Sequence, residues 1–189
     1  MGHDEMKSAS GIVLWMTPFQ AFALAALFTI TFCVSFVLFY SFHAEKEETQ
    51  DQPEMNLPLP DAVLVDEADR VLPNSALRTG KLILVFVTPD CKAFLKEAEF
   101  LREVVRKRPD IPIYGIIPFG DKDRALQEAK AHFPFKVFYD QNQHLAAKLG
   151  INRVPIKLFV EDGTIKRGWG GAMIQQARKE RFLRWLEKI

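Results

Sequence analysis

Two short stretches of this chain bring together residue types whose placement can do chemistry. The first is Thr88-Pro89-Asp90-Cys91-Lys92, which follows the apolar run Lys81–Val87. A run so rich in β-branched and aromatic residues predicts a strand buried on both faces. The apolar spacing of Phe94, Ala98, Leu101 and Val105 predicts a helix that begins around Cys91 and stops before Pro109. A thiol at a helix start faces unpaired N–H donors and the positive end of the dipole. Both favour the thiolate, the form that attacks disulfides and peroxides. Lys92 adds to that field, and the carboxylate of Asp90 opposes it. Taken alone, the turn leaves two readings open: a reactive nucleophile, or an inert cysteine that happens to open a helix.

The second stretch is Gly150-Ile151-Asn152-Arg153-Val154-Pro155-Ile156-Lys157-Leu158-Phe159-Val160-Glu161-Asp162-Gly163. Proline supplies no ladder donor, so at the head of a strand it takes an edge, a first position or a cis bond. Glu161-Asp162-Gly163, between Ile156–Val160 and Thr164–Gly168, is a hairpin signal. The elements around these stretches alternate. Ala62–Val65 is a short apolar run, interrupted by Asp66-Glu67-Ala68-Asp69 and resumed at Arg70–Leu72. Ile113–Pro118 and Val137–Tyr139 are strand-like. Asp121 caps a helix through Ala131, Gln143–Leu149 is helical with Gly150 as its stop, and Met173–Lys188 is amphipathic. Strands alternating with helices predict an α/β layered domain with its sheet covered on both sides.

With these motifs in place, residues from about Asp61 to Ile189 resemble the thioredoxin-like superfamily. More narrowly, they are similar to the branch of membrane-anchored bacterial thiol–disulfide proteins and redoxin (alkyl hydroperoxide reductase/thiol-specific antioxidant) domains. Three stretches carry the resemblance: the lead-in VLVDEADRVLPNSALRTGKLILVFV, then TPDC at Thr88–Cys91, then GINRVPIKLFVEDG. It implies a central mixed sheet flanked by helices, with Cys91 as the active-site cysteine. It also implies that Pro155 is cis and lies beside Cys91, and that the backbone of Val154 pairs with an extended peptide or other thiol substrate. Such main-chain pairing gives affinity largely independent of substrate sequence. The expected partner is an external thiol or disulfide protein, with no cofactor, metal or nucleic acid.

The chain departs from that pattern in informative places. Dithiol members carry a second cysteine three residues after the first, and here Phe94 stands there. No internal disulfide can form at this turn. Asp90 replaces the tryptophan that often precedes the first cysteine. Leu95 stands where copper-delivery relatives keep their second cysteine. Thr88 matches the Thr-x-x-Cys part of the peroxiredoxin motif, but the proline expected four residues earlier is Leu84. The leading expectation is therefore a monothiol redox protein: Cys91 attacks, with Thr88 and Lys92 beside it, and an external thiol resolves the adduct. The alternatives are a redox-inactive binding or assembly factor that holds clients at Val154–Pro155, and a single-cysteine peroxidase.

Composition fixes the frame around this domain. The chain has 189 residues, a net charge of +1, 10 Gly, 11 Pro and 2 Cys. These values exclude collagen-like, disulfide-scaffold and wholly disordered classes, and argue against a dedicated nucleic-acid binder. The averages conceal an uneven distribution. Ser8 to Phe42 contains no charged residue or histidine, and 19 of the 24 residues from Phe19 to Phe42 are hydrophobic. A helix of that length spans roughly 36 Å, enough to cross a bilayer core, with Trp15 and Tyr40 near its ends. The expected organisation is an N-terminal tail (1–18), a transmembrane helix (19–42), an acidic linker (43–60) and a thioredoxin-like domain (61–189). Cys33 falls mid-span as a packing residue. The positive-inside count ties, Lys7 against Lys46. The family resemblance places the soluble domain outside the cytoplasm, on the periplasmic or extracellular face, which suits disulfide chemistry. From Ala62 onward, 23 basic residues face 16 acidic ones, a net +7. His3, His43, His132 and His144 show no ligand spacing, Arg106-Lys107-Arg108 reads as a solvated helix end, and Trp169 as a packed aromatic.

Overall fold

The computed structural model describes residues 27–36 and 54–189. The chain divides into two units, Met1–Glu47 and Glu48–Ile189. In the first, residues 27–36 form a helix, α1, in which the Thr31 hydroxyl donates to the Leu27 carbonyl at 2.8 Å. Among the described residues no helix is long and apolar enough to cross a membrane. Most of the span expected at 19–42, the tail 1–18, the linker to residue 53, and His3 and His43 lie outside the described residues.

The second unit is built on a seven-stranded sheet. Its strands are β1 (Leu57–Pro58), β2 (Leu64–Val65), β3 (Lys81–Phe86), β4 (Ile113–Ile117), β5 (Lys136–Asp140), β6 (Ile156–Glu161) and β7 (Thr164–Gly170). Their order is β1-β7-β6-β3-β4-β5-β2, with β3, β4 and β5 mutually parallel in register and the remaining pairings antiparallel. Parallel neighbours require crossovers. These are supplied by α2 (Phe94–Lys107) between β3 and β4 and α3 (Lys122–His132) between β4 and β5. The short α4 (His144–Lys148) and the C-terminal α5 (Gln176–Leu186) complete the domain.

Strand β3 sits near the middle of the sheet, and its composition follows from that position. Ile83, Val85 and Val87 enter one core with α2, α3 and α5. Leu82, Leu84 and Phe86 enter another with Leu145 and Ala146 of α4 and Leu77 of the 3-10 turn Asn74–Leu77. Period-two alternation with both faces apolar is what a doubly covered strand demands. Asp121 caps α3 as its sequence predicts, accepting the Arg124 N–H at 2.9 Å.

Several boundaries differ from expectation. Helix α2 begins at Phe94, not around Cys91, because residues 88–93 form successive turns in which Cys91 N–H donates to Thr88 O and Phe94 N–H to Cys91 O. The final helix begins at Gln176, and Met173 is instead a buried residue of the loop before it. The strand ladder starts upstream of Asp61: Leu57 and Pro58 pair with Ile165 and Thr164, and Leu59 is buried. A Pro at such an edge lacks only a donor that no further strand needs.

Gly115 on β4 lies opposite Val137 of β5, where there is no room for a side chain. A methyl added there would stand 3.0 Å from one Val137 methyl and 3.3 Å from the Phe135 ring. Gly115→Ala should therefore cost about 1–3 kcal/mol of unfolding free energy by overpacking. Val137→Ala in the same chain should recover part of that loss, as a double-mutant cycle in urea would show. Strictly additive costs would contradict this packing.

Candidate functional site

Strands β3 and β6 are antiparallel neighbours, with Phe86 opposite Ile156 and Val85 opposite Lys157. This register brings the end of β3, and the turn after it, beside the start of β6. Cys91 therefore meets the residues before Ile156: its Sγ lies 3.9 Å from the Val154 carbonyl oxygen. The Val154–Pro155 bond is cis. Of the residues expected from sequence, Cys91, Val154 and Pro155 are thus together. Cys91 and Val154 are partly exposed, and Pro155 is buried. Thr88 is also at the site, buried, and its backbone carbonyl accepts the Cys91 N–H at 3.1 Å. Lys92 is next to the thiol in the chain and exposed to solvent. With the helix starting at Phe94, Cys91 lies ahead of the first helical turn rather than within it.

Beneath the cysteine turn lies a feature that sequence reasoning missed. Glu97 of α2 and Lys157 of β6 are both 0% exposed, and the Lys157 ammonium donates to Glu97 Oε1. Each member has a further partner. Lys157 Nζ also donates to Gly171 O at 3.2 Å, and Glu97 Oε2 accepts the Met173 N–H at 2.9 Å. Gly171 N–H in turn donates to Pro155 O at 2.8 Å. Gly171 has φ +78°, a left-handed conformation that glycine adopts without a Cβ penalty. Burial pushes the Lys157 ammonium below its ordinary pKa. Glu97 opposes that shift, and the Arg178 cation adds to it. The chain of contacts closes on itself: Cys91 to Val154, Pro155 to Gly171, Gly171 to Lys157, Lys157 to Glu97, and Glu97 back along α2 to the cysteine turn.

A signal for this pair exists in the sequence. Lys157 interrupts the apolar run Ile156–Val160 at a position whose side chain a covered strand must bury, and Glu97 falls within the apolar face begun by Phe94. A buried charge implies a buried partner. Phe94, at the second-cysteine position, is buried and packs edge-on against Phe133, with ring centroids 5.1 Å apart. Asp90, at the tryptophan position, is exposed and paired with Arg124 of α3 at 3.0 and 3.1 Å. Trp169 belongs to β7 and is buried, 4.3 Å from Trp185 and 4.8 Å from Phe182 between ring centroids. The basic end of α2 is a solvated, ion-paired cap, with Lys107 to Glu187 and Arg108 to Asp110. Among the described residues no group of His, Cys, Asp and Glu could hold a metal ion. His132 packs edge-on against Phe94, and His144 is exposed.

Removing either member of the buried pair leaves an uncompensated charge or an orphaned polar group in the core. Glu97→Gln and Lys157→Met should each lower unfolding free energy by about 3–5 kcal/mol. The double variant should cost clearly less than the sum. Equal additive losses in denaturant titrations would show that the two groups are not coupled.

No family model matches this chain, and no curated protein matches it. Solved structures do. A putative thiol:disulfide interchange protein DsbE from Chlorobium tepidum superposes with a TM-score of 0.62 at 14% identity, over 72% of this chain and 98% of that one. Mycobacterium tuberculosis dsbF, in its mixed oxidized and reduced forms, gives 0.58 at 20% identity over 70% and 98%. A secreted M. tuberculosis disulfide oxidoreductase homologous to E. coli DsbE gives 0.56 at 19% identity over 67% and 95%. With its mixed sheet, crossover helices and cis-proline beside the cysteine turn, the unit containing residues 54–189 has the thioredoxin-like fold.

Proposed function

We propose that this chain is a membrane-anchored, single-cysteine thioredoxin-like protein that performs thiol–disulfide exchange through Cys91 with an external thiol partner. The observation that carries the reading is Cys91 Sγ, partly exposed, 3.9 Å from the carbonyl of Val154 at the cis Val154–Pro155 bond. Support comes from the kind of proteins that share the fold, which include disulfide oxidoreductases. The anchor is the uncharged segment 19–42, and the domain faces a compartment outside the cytoplasm, where disulfides persist.

The chemistry follows from one thiol. The Cys91 thiolate attacks a partner disulfide, forming a Cys91–partner S–S bond as the partner's original S–S bond breaks. The electron pair leaves on the departing partner thiolate. Phe94 holds the position from which a second cysteine would resolve this adduct, so an external thiolate must attack it and release the Cys91 thiolate. The backbone of Val154 aligns the extended partner segment, Thr88 fixes the turn through its carbonyl, and Lys92 places a positive charge next to the sulfur.

A second reading draws on the buried aromatic at the resolving position and on the ion pair at Asp90: a binding factor that holds clients at Val154–Pro155 without redox chemistry. The two separate in one experiment. When the Cys33→Ser chain meets a protein disulfide, the exchange reading expects a mixed disulfide at Cys91 that accumulates and persists until an external thiol is added, read by intact mass. Cys91→Ser should form none. Absence of any adduct, with client retention unchanged in Cys91→Ser, would select the binding factor.

A further inference from the structure

Lys92 follows Cys91 in the chain, and Arg153 precedes Val154, whose carbonyl touches the sulfur; both side chains are exposed. Neither pairs with a carboxylate among the described residues. The carboxylate nearest in sequence, Asp90, is answered by Arg124 of α3. Glu97, in the first turn of α2, is buried and paired with Lys157. The residue that follows Cys91 and the residue that precedes Val154 are therefore both exposed cations with no carboxylate partner among the described residues. They stand on a domain carrying 23 basic and 16 acidic residues from Ala62 onward.

Resting on the reading of Cys91 as an exchanging thiol, we infer that the partner presents its reactive cysteine in an acidic, extended segment. Carboxylates on either side of that cysteine meet Lys92 and Arg153 while the segment's backbone lies along Val154. Complementary charge accelerates encounter and selects partners more than it deepens affinity. The same charges act against self-pairing. A second copy brings its own Lys92 and Arg153, so a Cys91–Cys91 disulfide between copies gathers like charges around one bond.

The test uses the full-length Cys33→Ser chain in a nonionic detergent and two peptides of one sequence. Each peptide carries a cysteine activated as its 2-pyridyl disulfide, flanked by glutamates in one and by lysines in the other. The Cys91 thiolate attacks the peptide sulfur, an S–S bond forms between them, and the electron pair departs with 2-thiopyridone, whose absorbance is read. At low ionic strength the acidic peptide should react faster by about tenfold, the low end of steering effects. At about 1 M salt, where the screening length falls to roughly 3 Å, the ratio should approach one. Arg153→Gln should shrink the low-salt ratio. Equal rates, a faster lysine peptide, or a ratio indifferent to salt would overturn the inference and leave the exchange reading standing. Reaction with neither peptide would overturn both.

Discussion

The interaction on which the rest of the site depends is the buried contact between Glu97 and Lys157. Two opposite charges wholly removed from water persist only when their geometry and remaining hydrogen bonds compensate the lost hydration. Here each charge has a partner beyond the other. Lys157 reaches Glu97 and the Gly171 carbonyl, and Glu97 reaches Lys157 and the Met173 N–H. Because Glu97 lies in the first turn of the helix after Cys91, and Lys157 lies two residues after Pro155, the pair fixes the distance between the two halves of the site. Gly171 completes the ring by donating to Pro155. The position of the sulfur against Val154 is thus a consequence of core electrostatics, not of the exposed turn alone.

The surface and the interior of this site divide the work. The interior holds the geometry through Glu97, Lys157, Phe94 and the cis-proline. The surface sets the charge through Lys92, Arg153 and the Asp90–Arg124 pair. Phe94 illustrates the exchange of roles. A cysteine there would be a redox partner, whereas the ring packs against Phe133 and His132 and fastens α2 to α3. On the exchange reading proposed above, the step that a second cysteine would complete falls to a second molecule.

Much of this was legible in the sequence, for physical reasons. Lys81–Val87 announced a doubly covered strand because every residue after Lys81 is apolar, and Asp121 announced a helix start because its carboxylate meets an unpaired N–H. Cys91, Val154 and Pro155 were found through motifs, and the sheet register that joins them is a matter of topology. The start of α2 was misplaced because apolar periodicity reports which face is buried, not where the first turn closes. Periodicity extended to Cys91 could not show that residues 88–93 turn twice before the helix. Glu97 and Lys157 escaped notice because each, alone, reads as a surface charge. The interrupted apolar run marks Lys157 and the apolar face begun by Phe94 marks Glu97, and the register that sets Lys157 opposite the buried Val85 puts the first of them inside.

Exchange chemistry at this site requires that Cys91 be an accessible, reactive thiol in the folded chain. The most direct measurement is the rate at which iodoacetamide alkylates Cys91 at neutral pH in the Cys33→Ser chain, native against urea-unfolded. Exchange through Cys91 requires that the native thiol is alkylated without prior unfolding, since the sulfur is partly exposed beside Val154. A native thiol that stays unmodified while the unfolded one reacts would contradict it.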